Sequence, residues 1–186
     1  MLDVQSVTQA LSLLRSAHRL CAICHRNPDG DAIGSITAAA ELFSALVPDI
    51  PVKLYCVDPS PPTFDFLPWT QRIETGPEPS DGDVFIFVDS AEPKLTDYHE
   101  RFPQIFGGTW PSICFDHHPG NSNFATVNLV VPDASSTCEI ITDFAGQAAL
   151  PITPGIATSL LTGIYTDTGG LLHNNTTPRV YRTVAT

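Results

Sequence analysis

The sequence predicts a doubly wound α/β fold: a mainly parallel, five-stranded sheet with helices on both faces. Apolar runs of strand length alternate with helical patterns along most of the chain, and this alternation is typical of βαβ units. One run, residues 83–89, is apolar between its two terminal aspartates, as expected for a strand covered on both sides. The chain has 186 residues, 42% apolar and 16% charged, which fits one globular domain, residues 1–186.

The predicted elements follow one another in a regular order. An amphipathic helix over residues 3–18 precedes a first buried strand at residues 20–24, which a polar loop follows. Good helix formers then fill residues 32–46, and Pro48 stops that helix. The later elements are a strand at residues 52–57, a proline-rich connection at 59–68, strands at 83–89, 112–115 and 124–130, and helices at 136–149 and 154–165.

The charge balance restricts the ligands that the chain can bind. Nine Lys and Arg residues stand against 20 Asp and Glu residues, which gives a formal net charge of −11. Such a surface repels a polyphosphate backbone. We therefore expect no long duplex nucleic acid as a partner, and a phosphate substrate must be held locally by bound cations.

Three features predict a cytoplasmic protein with no membrane segment. No run of about eighteen apolar residues occurs, and the N-terminal segment lacks the basic start and continuous apolar stretch of a signal peptide. Five cysteines, an odd number, fit a reducing compartment better than a disulfide framework. Cys21 and Cys24 form a CxxC pattern, but they lie in an apolar run that indicates a buried strand.

Acidic and imidazole side chains follow three of the predicted strands. In an open parallel sheet, ligands bind beyond the carboxyl ends of the strands, so these side chains should converge. Clustered carboxylates repel one another in a low dielectric, and bound cations would neutralise them. The residues are His25, Asp29 and Asp31 after the first strand, Asp89 after the third, Asp116, His117 and His118 after the fourth, and Asp167 where the last helix ends among glycines.

The mixture of ligand atoms indicates the metal and the reaction. Carboxylates with two or three imidazoles, and no cysteine in the pattern, suit Mn²⁺ or Mg²⁺ better than a structural zinc site. One carboxylate shared by two ions would hold them about 3.5–4 Å apart, an arrangement that stabilises the attacking and leaving oxygens of a phosphoryl displacement. The sequence therefore predicts phosphoester hydrolysis.

Four segments resemble, in the same order, the four motifs of the DHH phosphoesterase superfamily. They are the run from His25 to Ser35 (HRNPDGDAIGS), Val88-Asp89-Ser90, Asp116-His117-His118, and Thr166-Asp167-Thr168-Gly169. Further segments are similar to the bacterial nanoRNase and 3′-phosphoadenosine 5′-phosphate (pAp) phosphatase subfamily, some members of which also cleave cyclic dinucleotides. These segments are residues 116–124, Asn128, residues 134–139 and residues 175–178.

The resemblance implies a two-Mn²⁺ site with a hydroxide between the ions as the nucleophile. Asp89 would bridge the ions, His118 would contact the phosphate, and Asp116 would orient a histidine ligand. Arg26 and Asn175 lie near these motifs, and we expect them to contact the phosphate of the substrate. The implied ligands are His25, Asp29 and Asp89 for one ion, and Asp31, Asp89, His117 and Asp167 for the other.

The resemblance also leaves alternatives open. Members of this subfamily carry a second, C-terminal DHHA1 domain, and its glycine-histidine motif does not occur in these residues. We therefore expect an isolated catalytic domain of reduced activity. The expected substrates are short oligonucleotides or nucleotides, and a homodimer is an open option. The alternatives are a cyclic dinucleotide phosphodiesterase, a family II inorganic pyrophosphatase, which shares the first and third motifs, and a non-catalytic module that binds metal and nucleotide.

Overall fold

A six-stranded, fully parallel sheet forms the centre of the molecule. The computed structural model describes all residues from Met1 to Thr186. The strand order is β3-β2-β1-β4-β5-β6, and every neighbouring pair is parallel. The strands are β1 (Arg19–Ile23), β2 (Val52–Tyr55), β3 (Ile73–Glu74), β4 (Asp83–Val88), β5 (Ser112–Asp116) and β6 (Val127–Val130).

Six α-helices connect and flank these strands, and polar side chains cap the start of several of them. Asp29 caps α2 by accepting hydrogen bonds from the backbone N–H groups of Asp31 and Ala32. Ser136 and Thr153 cap α4 and α5 in the same way. The helices are α1 (Val4–Ser16), α2 (Gly30–Leu46), α3 (Pro103–Phe106), α4 (Thr137–Gln147), α5 (Pro154–Asp167) and α6 (Pro178–Val184).

The side chains of each strand alternate between two cores. In β4, Val84 and Ile86 pack into the larger core with α1, α2, α4 and α5. Phe85 and Phe87 point to the opposite face, where Phe85 stacks on Trp110 with ring centroids 5.7 Å apart. The strands are buried on both sides, as predicted for a parallel sheet. Helices lie on both faces, although the second face carries only α3 and short helical turns.

The predicted doubly wound fold is confirmed, but the predicted number of strands is wrong. The sheet has six strands because Ile73–Glu74 pairs with β2 at the edge of the sheet. Two residues are too few to show an apolar period, so no sequence pattern could have indicated this strand. The helix α6 over Pro178–Val184 was also not predicted.

The strand order places a crevice at the carboxyl ends of β1 and β4. The chain runs from β1 outward to β3 and then returns to the other side of β1 with β4. In doubly wound sheets, ligands bind at the point where the winding direction reverses. No helix combines the length and the apolar character needed to cross a membrane.

Candidate metal centre

His25 and Asp89 meet at the crevice between β1 and β4. His25 Nε2 lies 3.4 Å from Asp89 Oδ2 and 3.8 Å from Asp29 Oδ1. The other ring nitrogen, Nδ1, is 2.7 Å from the backbone carbonyl oxygen of Arg26. A proton on Nδ1 would be donated to that carbonyl, so Nε2 would present its lone pair toward the two carboxylates. This is the tautomer that a metal-ligating histidine requires.

Asp89 has a backbone conformation that few non-glycine residues adopt. Its φ is 54°, in the left-handed region where a side chain costs free energy. A hydrogen bond from Asp89 N to Phe115 O, 3.0 Å long, holds the backbone. Another, from Thr137 Oγ1 to Asp89 Oδ1, also 3.0 Å long, holds the carboxylate. The strained backbone turns the buried carboxylate into the crevice at the end of β4.

Asp31 is fully buried and lies against the first turn of α4. Its Oδ2 accepts a hydrogen bond from Thr137 N at 2.6 Å, and its Oδ1 accepts one from Cys138 N at 3.0 Å. A helix N-terminus offers such N–H groups together with a favourable dipole for a carboxylate. Sequence reasoning predicted a helix from residue 136, where Ser136-x-x-Glu139 is a capping signature, but it missed the contact of these backbone donors with Asp31.

His117 joins the residues of α2 and α5 to those of β4. Its Nε2 lies 3.3 Å from Asp167 Oδ2 and 3.6 Å from Asp89 Oδ1. Asp167 is the last residue of α5, and this position brings its carboxylate to the same edge of the sheet as the other acidic and imidazole side chains. Three overlapping groups have ligand atoms within 4.8 Å of one another, and we call their seven residues the cluster. The groups are His25, Asp29 and Asp89; Asp31, His117 and Asp167; and Asp89, His117 and His118.

Asp116 orients His118 and not His117. His118 Nδ1 lies 2.8 Å from Asp116 Oδ1, while Asp116 Oδ2 accepts a hydrogen bond from Asn121 Nδ2 at 2.7 Å. The hydrogen bond with Asp116 raises the pKa of His118 to about 9, so the imidazole is a cation at neutral pH. The ring nitrogen Nε2 remains free for another contact.

The carboxylates of the cluster carry more negative charge than the protein groups around them compensate. Burial and repulsion from Asp89 raise the pKa of Asp31 to about 8, and burial and repulsion from Asp31 and Asp89 raise that of Asp167 to about 7. Burial lowers the pKa of His25, but Asp29 and Asp89 outweigh burial and raise it to about 11. The donor set therefore fits bound cations, which would replace these protons.

Arg26 and Asn175, the two residues predicted to contact phosphate, lie in different surroundings. Arg26 lines the same cavity as the cluster, and its Nη1 is 3.2 Å from Asp97 Oδ1. Asn175 does not line that cavity, because its amide donates to the backbone carbonyls of Ser135 and Asp167, both at 3.2 Å. Asn175 therefore contacts the backbone of Asp167 but lies outside the cavity that contains the other predicted residues.

One cavity lies at the carboxyl edge of the sheet, and a second lies along α5. The first, of about 380 Å³, contains the cluster and is lined by His25, Arg26, Asn27, Asp29, Asp89, Leu95, His117, His118 and Asp167. The second, of about 520 Å³, is an apolar groove on the outer side of α5, lined by Phe64, Phe66, Thr158, Leu161, Thr162, Ile164, Tyr165, Thr166, Leu171 and Val184. The second cavity has no carboxylate or imidazole, so only the first can hold a metal centre.

Comparison with known proteins assigns the chain to a family. Residues 19–164 match the family model described as the DHH family, N-terminal domain. This stretch contains the strands that form the crevice and all but one of the clustered carboxylates. The chain belongs to the DHH family, as the four motifs predict.

Two curated relatives and one solved structure show how far the similarity extends. The bifunctional oligoribonuclease and PAP phosphatase NrnA of Thermus thermophilus is 33% identical over 167 residues, which are 87% of this chain and 47% of the relative. The protein of the same name from Mycoplasma pneumoniae is 28% identical over 94% of this chain and 53% of its own length. The chain thus spans about half the length of the curated relatives it matches.

The structural comparison concerns the fold alone. The crystal structure of an exopolyphosphatase-related protein from Bacteroides fragilis superimposes on this chain with a TM-score of 0.86. The two sequences are 20% identical, and the match covers all of this chain and 56% of the other. The α/β architecture described above is therefore shared with a protein of very different sequence.

Proposed function

We propose that this chain binds two divalent cations, with Mn²⁺ as the preferred metal, and hydrolyses phosphoester bonds in short oligoribonucleotides and in pAp. The observation that carries the proposal is the position of Asp89. One of its oxygens faces His25 and the other faces His117. The substrate classes follow the names of the relatives from Thermus thermophilus and Mycoplasma pneumoniae.

The ligand atoms divide into two sets that share Asp89. His25, Asp29 and Asp89 would hold one cation. The second set consists of Asp31, Asp89, His117 and Asp167. Oxygen and imidazole ligands without a thiolate suit Mn²⁺ or Mg²⁺. When bound, two such cations would polarise the phosphoryl group and lower the pKa of the attacking water.

His118 supplies a positive charge next to the metal ligands. Because Nδ1 is engaged with Asp116, Nε2 can donate a hydrogen bond to a non-bridging phosphoryl oxygen. Negative charge develops on these oxygens in the transition state, so the donor accelerates the reaction. Arg26 offers a second cationic group on the wall of the same cavity.

The size and charge of the molecule favour small substrates. The cavity that contains the cluster measures about 380 Å³, near the lower end of the range for small-molecule sites. The net charge of −11 opposes the binding of long polyanions. A substrate with one scissile phosphate and few further charges suits both properties.

A hydrolysis panel with Mn²⁺ tests the proposal. The substrates are pApA, a longer RNA, pAp, cyclic di-AMP and pyrophosphate, and the controls are EDTA and the Asp89→Asn variant. We expect release of nucleotide from pApA, phosphate from pAp, and no activity in either control. Preferential cleavage of cyclic di-AMP or of pyrophosphate would replace the proposed substrate class. Metal binding without hydrolysis of any substrate would contradict the proposed activity and favour a non-catalytic module that binds metal and nucleotide.

A further inference from the structure

The first turn of α4 is the part of the fold that holds two of the proposed ligands. Its backbone N–H groups at Thr137 and Cys138 donate to the two oxygens of Asp31. The Thr137 hydroxyl donates to Asp89. The direction in which these carboxylates point therefore depends on where this turn lies.

Glu139 fixes the position of that turn. Its Oε2 accepts a hydrogen bond from Ser135 N at 2.7 Å, and its own N–H donates to Ser136 Oγ at 3.1 Å. This reciprocal arrangement resembles a capping box. The side chain of Glu139 is 2% exposed, so its carboxylate must be compensated inside the protein.

The compensating charge comes from the C-terminal helix α6. Arg179 Nε lies 2.6 Å from Glu139 Oε1. Asn175, in the turn before α6, adds amide hydrogen bonds to the carbonyls of Ser135 and Asp167. The segment around α6 thus contacts the turn that holds Asp31, and it also contacts Asp167, the member of the cluster at the end of α5.

We infer that Glu139 and Arg179 are positioning residues for the proposed metal centre. The ion pair fixes the first turn of α4, and the turn holds Asp31 and Asp89 in the orientation that the cations need. The inference rests on the proposed function, since it assumes that these carboxylates bind metal. Without Arg179, a buried carboxylate loses its counter-charge, and the turn must shift or admit water to solvate it.

A second ion pair at the opposite edge of the sheet provides a matched control. Asp83 is also 2% exposed and contacts Arg19 through two nitrogens, Nη2 at 2.6 Å and Nε at 3.0 Å. Its Oδ2 also accepts from a serine backbone N–H, that of Ser80, at 2.7 Å. Arg19 and Asp83 begin β1 and β4, whereas the cluster lies beyond the ends of these strands. Arg179→Met and Arg19→Met therefore break similar pairs at different distances from the cluster.

Two quantities are measured on the chain. Mn²⁺ affinity is obtained from a titration in which electron paramagnetic resonance detects the free Mn²⁺, and stability is obtained from the melting temperature in EDTA. Loss of an outer hydrogen-bond partner lowers metal affinity by about 10–100-fold, and we expect that loss for one of two ions in Arg179→Met. Arg19→Met should melt at a lower temperature with unchanged affinity. Arg179→Lys should recover affinity, because Arg179 uses a single contact.

The direction in which Mn²⁺ affinity changes distinguishes displaced ligands from the mere loss of a charge. Removing a cation from this region favours Mn²⁺ binding by Coulomb's law, so a loss of affinity in Arg179→Met must arise from displaced ligands. Should this variant fail to fold, Arg179→Gln removes the same positive charge but keeps a hydrogen-bond donor for Glu139, so the same comparison applies.

Each outcome of the titration decides between the possibilities. Unchanged or higher affinity in Arg179→Met, with the wild type binding two ions, would overturn the positioning role and leave the proposed function intact. Equal losses in Arg179→Met and Arg19→Met would also overturn it, because the effect would then be general destabilisation. A wild-type chain that bound no Mn²⁺ would overturn the proposed function and the positioning role together.

Discussion

His25 Nε2 lies 3.4 Å from Asp89 Oδ2, although the two residues follow different strands of the sheet. The contact exists because β1 and β4 are parallel neighbours that end at the same level, with Ile23 opposite Phe87. The other oxygen of Asp89 faces His117, which follows β5. A carboxylate between two imidazoles from different strands is in the position that a shared ligand of two cations requires.

Replacing Asp89 by asparagine should reduce the number of bound Mn²⁺ ions from two to one or none. The amide keeps the shape and an oxygen for the Thr137 hydroxyl, but it removes the charge that would separate the two cations. We expect affinity to fall by more than the roughly 10–100-fold that loss of an outer partner causes, and hydrolysis to be lost. Metal analysis after gel filtration measures the stoichiometry.

Asp65→Asn is the control for this substitution, because Asp65 lies outside the cluster and its side chain accepts a hydrogen bond from Gln71. It should bind as many ions as the wild type. Two tightly bound ions in Asp89→Asn would show that Asp89 is not shared between the sites.

Alanine variants of the adjacent residues His117 and His118 should behave differently. His117→Ala removes a proposed ligand and should weaken metal binding. His118→Ala should keep its metal and lose rate by about 10²–10³-fold, since it removes a donor to the developing phosphoryl charge. Metal content and kcat on the same preparations make the comparison.

The group Asp89, His117 and His118 offers the competing arrangement, in which His118 is a ligand. Similar metal loss in His117→Ala and His118→Ala would favour that arrangement. The prediction that His117 binds metal and His118 contacts phosphate would then be wrong.

The meeting of these carboxylates and imidazoles at one edge could be predicted from the sequence, because strand ends in a parallel sheet share one edge whatever the details of packing. The sequence could not indicate which backbone groups complete the site. Asp31 accepts from Thr137 N and Cys138 N, and a backbone donor 106 residues away leaves no residue-type signal. The left-handed backbone of Asp89 is equally invisible, since aspartate is common at ordinary strand ends.

Asn175 lies outside the cavity that contains the cluster. A polar residue close to four metal-binding motifs was expected to contact the substrate, yet its amide binds two backbone carbonyls and joins α5 to the loop before α4. Burial of Asn175 depends on how the segment before α6 packs, and residues 175–178 carry no apolar period from which that packing could be predicted.

In EDTA, where the protein holds no metal, the free energy of unfolding should fall as the pH rises from about 5 to 9. The folded-state pKa values of Asp31 and Asp167, about 8 and about 7, lie above the usual value of 3.8. The folded chain therefore binds more protons than the unfolded chain between pH 4 and 8, and stability is lost as they dissociate. His25 and His118, with raised pKa values of about 11 and about 9, contribute stability that is also lost above pH 6.5.

Thermal melting in EDTA at pH 5.5 and pH 8.5 measures this effect, and each kcal/mol corresponds to about 2–4 °C for a chain of this size. Added Mn²⁺ should raise the melting temperature more at pH 8.5, because the carboxylates must lose their protons to bind. A metal-free melting temperature that is constant or rises over this range would show that the carboxylates do not repel one another in solution.

Gly163→Ala should disturb the proposed metal centre from inside α5. A Cβ at this position would overlap with Asp31 Oδ1 and with Cys138 Sγ, so α5 must move away from α2 and α4 or Asp31 must turn. Overpacking of this kind costs about 1–3 kcal/mol, and the displaced carboxylate should weaken Mn²⁺ binding as well. Melting temperature and Mn²⁺ titration together measure the two effects.

Gly146→Ala is the matched control, because Gly146 is also helical and a Cβ there meets no atom within 4 Å. Alanine in a helix is favoured over glycine by about 0.5–1 kcal/mol, so this variant should melt slightly higher with unchanged metal affinity. If Gly163→Ala lost stability but bound Mn²⁺ as tightly as Gly146→Ala, the added methyl group would be accommodated by a movement of α5 that leaves Asp31 in place. The predicted link between the packing of α5 and metal binding would then be wrong.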